Sequence, residues 1–250
     1  MWRNVFLAVG LISLSAPSTE VSGMDPRLNV RTVNVAFHVI TSARGEGTVS
    51  RDLLQSQMDV LNRAYSASGY SFVVVSSDTT ANDAWFKMAP GSAEESQAKS
   101  ALNVDPETTL NLYTAGPGQG LLGWATSPQE LANRPEMDGV VVHYGTLPRG
   151  SLAPFNEGDT MVHEVGSWFG LGSTGGSDCR TDNDGVSDTP IHKTNFDCDS
   201  PQDSCRTRRG VDPIHNYMNN LPDACMTEFT PGQAQRMAEM CSEFRPDTCG

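Results

Sequence analysis

Apolar Val33, Val35, Phe37 and Val39 are interleaved with Asn34, Ala36 and His38. This period of two predicts a strand with one buried face, and it puts His38 on the opposite face as a surface or second-layer residue. From Arg51 to Ser68 the spacing changes to three and four, through Leu54, Met58, Leu61 and Tyr65. That is an amphipathic helix, begun by Ser50 as N-cap and stopped near Gly69. Ser71–Ser77, Thr109–Tyr113 and Asp138–Tyr144 are short β-branched or apolar runs and predict three more strands. Ser92 and Glu95 form a capping box ahead of a helix to about Leu102. A Gly- and Pro-containing loop leads to Asp159 and Thr160, either of which can cap a helix running through Met161–Phe169.

Beyond Gly170 the periodicity fades. Residues 172–228 are rich in Gly, Asp, Asn, Ser, Pro and Cys, and only the end recovers, where Thr230, Pro231 and Gln233 start a helix with Ala234, Met237 and Met240 on its apolar side. Strands and helices in this order predict an α+β domain. All six cysteines, Cys179, Cys198, Cys205, Cys225, Cys241 and Cys249, lie in this last third. No C-x-x-C pair occurs, so they read as a disulfide framework whose connectivity the sequence leaves open. Residues 1–23 have the three-part order of a secretory signal: Arg3, the apolar run Val5 to Leu14, then small residues, with cleavage after Ser18 or Gly23. The run is too short to span a bilayer. The chain is thus expected to be secreted and extracellular, with residues 24–250 as a single domain and a monomer. With 17 basic against 30 acidic residues, nucleic acid and anionic membranes are excluded as partners.

The candidate chemistry is concentrated in Met161–Ser173. A zinc-binding helix places two histidines four residues apart on one face, with a glutamate after the first as general base. The longer pattern H-E-x-x-H-x-x-G-x-x-H adds a glycine turn that brings a third histidine onto the metal. Here His163, Glu164 and Gly170 occupy the first, second and turn positions, while Ser167 and Ser173 occupy those of the second and third histidines.

The surrounding motifs carry a resemblance. Leu121-Leu122-Gly123-Trp124-Ala125, Met137-Asp138-Gly139-Val140-Val141, Asp188-Thr189-Pro190, Asp212 to Met218 and Asp223 to Gln233 stand in the order found in pappalysin-like metzincin metalloproteases, and in particular in small secreted fungal-type extracellular metalloproteases. The resemblance runs from about Thr32 to Met237. It implies a metzincin-like fold: a twisted, mixed five-stranded sheet and an active-site helix in an upper subdomain to about residue 170, then an irregular, disulfide-linked lower subdomain, residues 171–250, with the substrate in the cleft between. It also implies zinc on His163, Glu164 as catalytic base, Met218 as the Met-turn floor, and a Cys198–Cys225 disulfide. Cys179 with Cys205 matches a second pair, which leaves Cys241 and Cys249. The family's oxyanion tyrosine falls on Asn220.

Serine hydroxyls are poor zinc ligands. His192, His215 and the carboxylates of Asp178, Asp182, Asp184 and Asp188 are alternative donors. The run Asp182–Asp188 also reads as a calcium loop or as a solvated acidic turn. The sequence therefore supports a zinc metalloendopeptidase-family protein of weak or absent activity, acting on peptides or proteins. The alternative is a non-catalytic pseudoprotease that binds peptides or a protein partner, and a plain disulfide-linked structural protein is a third reading.

Overall fold

Strand β1 (Arg31–Thr41) is the spine of the sheet, because it is long enough to pair along both edges. It runs parallel to β2 (Tyr70–Ala81) on one side and to β3 (Thr109–Ala115) on the other. β3 in turn carries parallel β5 (Val140–His143), and β4 (Gly123–Ala125) closes the far edge antiparallel to β5. The strand order is β2-β1-β3-β5-β4, a mixed five-stranded sheet. The computed structural model describes residues 30–118, 120–180, 184–194 and 196–249, so the predicted signal segment and residues Asp182 and Asn183 of the acidic run lie outside the described residues.

Parallel strands need crossovers, and the crossovers cover both faces of the sheet. On one face Val33, Val35, Phe37, Leu110, Leu112, Val140 and Val142 pack against α1 (Arg51–Tyr65) and α4 (Asp159–Trp168) through Met58, Leu61, Tyr65, Val162, Val165 and Trp168. The other face carries a second core, in which Ile40, Tyr113, Ala115 and Val141 meet Phe86 of α2 (Asp83–Phe86), Met88, and Ala98 of α3 (Ala93–Leu102). The expectation of a single buried face on β1 is thereby corrected. His38 is fully buried, its ring nitrogens facing Asp78 Oδ2 at 2.6 Å and Asn111 Oδ1 at 3.0 Å, with Tyr113 stacked on its ring. It is a second-layer residue.

Helix α1 is capped as predicted, with Ser50 accepting from Leu53 N, and a 3₁₀ turn carries it to Gly69 in the left-handed region. The box at α3 is only half formed. Ser92 accepts from Glu95 N, but the Glu95 carboxylate accepts instead from Gly91 N at 2.7 Å and from Trp124 Nε1 at 2.6 Å. It also pairs with buried Lys99 at 2.9 Å, so this side chain ties α3 to edge strand β4.

Among the described residues after α4, β6 (Gly175–Gly176) and β7 (His192–Lys193) are the only strands before α5 (Pro231–Phe244) and α6 (Pro246–Cys249). Thr230 and Gln233 form the full reciprocal box predicted for α5. Disulfides Cys179–Cys205, Cys198–Cys225 and Cys241–Cys249 hold the segment. Arg245, at the end of α5, is fully buried and bonds both oxygens of buried Asp138, at 2.9 and 2.6 Å. Trp168 Nε1 donates to the same carboxylate at 2.9 Å, and the guanidinium lies 3.9 Å from the centre of the Trp168 ring. The end of α5 is thus fastened to the end of α4.

Because few ladders hold residues 171–230, the Cys198–Cys225 bridge should carry much of their order. Paired Cys198→Ala and Cys225→Ala substitutions are expected to cost about 2 to 5 kcal/mol. Denaturant midpoints with and without the pair measure this, and an unchanged midpoint would mean that other contacts suffice.

Candidate active site

Helix α4 turns Met161, Val162, Val165 and Trp168 into the core and leaves His163 and Glu164 facing a cleft. Neither Asp159 nor Thr160 caps it. Its N-cap is Gly158, at φ +102°, and the free N–H groups of Glu157, Gly158 and Asp159 converge on Asp223 Oδ2 at 2.7, 3.1 and 3.4 Å. A side chain at 158 would collide with Gln57, whose Nε2 donates to Gly158 O at 2.9 Å. The cap comes from across the fold, so no local pattern announces it. Tyr65 adds a second clamp, its hydroxyl donating to Val162 O at 2.8 Å.

The far end follows the expected turn. Gly170 has φ +89°, Gly170 N donates to Ser167 O at 2.9 Å and Leu171 N to Gly166 O at 3.0 Å, the pair of bonds that a left-handed helix end makes. Met218 is fully buried below the helix, with its sulfur where a Cβ on Gly166 would lie within 2.5 Å. Thr174 N donates to Met218 O at 3.0 Å, which joins the chain after the turn to this floor.

His163 Nδ1 lies 2.9 Å from Tyr217 O. Burial holds the imidazole below its ordinary range, against the backbone of Tyr217 and Asn219, which favours the charged ring. Burial also pushes the Glu164 carboxyl up to about 8. Its Cγ and one carboxyl oxygen lie where a Cβ on Gly123 would meet them at 2.9 and 3.3 Å, which is why β4 starts with glycine. Ser167 Oγ donates to His163 O at 3.4 Å. Ser173 Oγ accepts from Asn220 Nδ2 at 3.2 Å, and Asn220 lines the cleft.

The cleft encloses about 310 Å³. Besides His163, Glu164, Asn219 and Asn220, its walls include Leu121, Leu122, Phe155, Phe196, Leu221 and Met226. Phe196 is 74% exposed, so a large apolar side chain stands at the rim. Leu121, Leu122 and Met226 lie in motifs that carry the family resemblance, but sequence reading missed Phe155, Phe196 and Leu221, which come from loops without periodicity.

The alternative donors among the described residues lie elsewhere. His192 Nδ1 faces Lys193 O at 2.9 Å and its Nε2 faces Thr174 Oγ1 at 3.2 Å, while His215 Nδ1 faces Cys225 O at 2.8 Å. Asp178 accepts from Arg180 N, Asp184 from Val186 N and Thr189 Oγ1, and Asp188 from Thr230 Oγ1 and Gly232 N. None of them lines the cleft. Among the described residues no group of three or more His, Cys, Asp or Glu is placed to hold a metal ion.

At the N-terminus of α4, burial, then the charges of Asp223 and Glu157, raise the Asp159 carboxyl from 3.8 to about 7, with Arg63 opposing. Between those values the folded chain holds a proton that the unfolded chain has lost. The stability is therefore present at low pH and is lost as pH rises through the window. Asp159→Asn should flatten the fall in unfolding free energy between pH of about 4 and 7. A variant that loses stability with pH as steeply as the parent would place the titration elsewhere.

A profile of the peptidase family M43, described as pregnancy-associated plasma protein-A, matches residues 123–242. An extracellular metalloprotease of Arthroderma benhamiae is 40% identical over 221 residues, which is 86% of this chain and 73% of that protein. One from Pyricularia oryzae is 38% identical over 225 residues, covering 88% and 78%. Among solved structures, mature mirolysin of Tannerella forsythia in complex with a cleaved peptide superposes with TM-score 0.74 at 25% identity, over 86% of this chain and 96% of that one. Mirolysin in complex with compound 9 gives TM-score 0.75 at 27% identity, over 88% and 96%.

Proposed function

We propose, for a chain that belongs to the pappalysin-like metalloprotease family and has a metzincin fold, that it keeps the peptide cleft of a secreted endopeptidase and has little or no zinc-dependent turnover. The single observation that carries this reading is the state of the two serines. Ser167 and Ser173 stand where the helix and its glycine turn would present the second and third imidazoles, and their hydroxyls are engaged with His163 O and Asn220.

Membership in a metalloprotease family implies a metal, and the donor set here does not fit zinc. One imidazole and two neutral hydroxyls offer a single good ligand, where catalytic zinc takes three protein ligands from histidine, carboxylate or thiolate. No catalytic step is therefore routed through a metal.

The chain's own residues support binding. β4 is an edge strand beside the cleft, and an extended peptide can add to such an edge by main-chain hydrogen bonds. The walls of Leu121, Leu122, Phe155, Phe196, Leu221 and Met226 suit apolar side chains of that peptide. The predicted signal at residues 1–23 and the extracellular relatives favour a secreted location.

Glu164→Gln tests the reading. With a donor set that does not fit zinc, nothing activates the attacking water, so any peptide hydrolysis should change by less than about twofold, against the roughly 10²–10⁴-fold that loss of a working general base costs. A drop of the larger size would restore the enzyme. The second reading, a weak metalloendopeptidase, is favoured by the retention of Glu164 beside Gly123, and this measurement separates the two.

A further inference from the structure

Arg206, Arg208 and Arg209 are three of only 17 basic residues in a chain of net charge −13. They form the run Arg206-Thr207-Arg208-Arg209-Gly210, and all five residues are exposed. Their concentration is therefore a local feature and not a sample of a generally basic surface. The feet of the loop are held: Cys205 is bonded to Cys179, and Asp212 N donates to Gln202 O at 2.9 Å. Arg208 N closes one turn on Cys205 O at 2.7 Å. The Arg208 guanidinium donates to Cys179 O at 2.8 Å and Arg180 O at 3.2 Å, bonds at the surface that water or a new acceptor can replace. An open hollow of about 490 Å³ adjoins Arg208, Arg209 and Gly210.

Drawn out as a strand, this run puts Arg206 and Arg208 on one side and Arg209 on the other, next to the bond to Gly210. Such a two-sided set of guanidinium forks is read by carboxylates, which accept them in pairs. We propose that the Arg209–Gly210 peptide bond is a processing site for a serine endoprotease specific for paired arginines. Water is consumed, the amide bond breaks, and a carboxylate at Arg209 and an amine at Gly210 result.

The position of the cut determines its consequence. It falls between Cys198 and Cys225, so that disulfide spans it and the piece beginning at Gly210 stays attached. That piece carries Met218, Asn220, Asp223 and Arg245, while His163, Glu164 and Asp138 stay on the other. The processed protein is a two-chain molecule whose cleft is built from both chains.

The oxidised full chain is incubated with a subtilisin-type endoprotease of paired-arginine specificity and its mass is read before and after reduction. The expected result is one species heavier by one water before reduction and two pieces after it, the smaller beginning at Gly210. Arg209→Ala should lose the cut entirely, and Arg206→Ala should slow it while leaving the melting temperature unchanged. If the native chain stays whole while the reduced, unfolded chain is cut after Arg209, the fold shields the site and the proposal is wrong. Cleavage at another bond, persistence of this cut in Arg209→Ala, or no cut even in the unfolded chain overturns it equally.

Discussion

Ser167→His combined with Ser173→His is expected to turn the chain into a zinc protein that takes up one ion at micromolar metal. Positions 163 and 167 are one turn apart on α4 and share a face. Position 173 is brought back by the left-handed Gly170, and the Ser173 side chain already reaches Asn220 in the cleft. Met218 still floors the helix at Gly166. These elements would present the three imidazoles together, and zinc-finger sites with a full set of protein ligands bind zinc with roughly 10–16 kcal/mol. Either substitution alone should do much less, since two imidazoles leave the metal short of protein ligands. Metal content after desalting, with circular dichroism as a check on folding, measures the outcome. A folded double variant that takes up no zinc would show that position 173 does not reach the face that His163 presents.

The second large effect is expected far from the cleft. Asp138→Ala removes both acceptors of the buried Arg245 guanidinium and the acceptor of Trp168 Nε1. Leaving one member of a buried pair uncompensated costs about 3 to 5 kcal/mol. The double change Asp138→Leu with Arg245→Met should be milder than Asp138→Ala, because no charge is then stranded, although the Trp168 N–H still loses its partner. Urea unfolding of the two variants beside the parent decides it. If Asp138→Ala moved the unfolding free energy by less than about 1 kcal/mol, the network would be as weak as a surface pair.

Much of the scaffold was legible because local chemistry and global fold agree there. The α1 cap at Ser50, the Gly170 turn and the Thr230–Gln233 box are decided within a few residues, and each forms as the sequence indicates. The mixed five-stranded sheet follows the family resemblance, as do the Cys198–Cys225 and Cys179–Cys205 bridges. What failed was decided at long range. The α4 cap is Asp223, more than sixty residues on from the helix start, and Asp159, read as a cap, is instead a buried carboxyl that burial and Asp223 push toward neutrality. The single buried face read on β1 gave way because α2 and α3 roof the other face, which leaves His38 in the second layer, one of the two places its alternation allowed. Glu95 kept only half of its box because Lys99 and Trp124 compete for its carboxylate. The cleft walls were invisible for a related reason: Phe155, Phe196 and Leu221 meet only after the irregular segment has been folded back by its disulfides.

The zinc content of the purified, oxidised parent chain after exposure to micromolar zinc and desalting, read beside hydrolysis of an unstructured peptide mixture, tests the loss of the metal site most directly. Well below one zinc per chain is expected, with no hydrolysis that depends on Glu164. One zinc per chain, together with hydrolysis that disappears in Glu164→Gln, would contradict it and return the protein to the working metalloproteases.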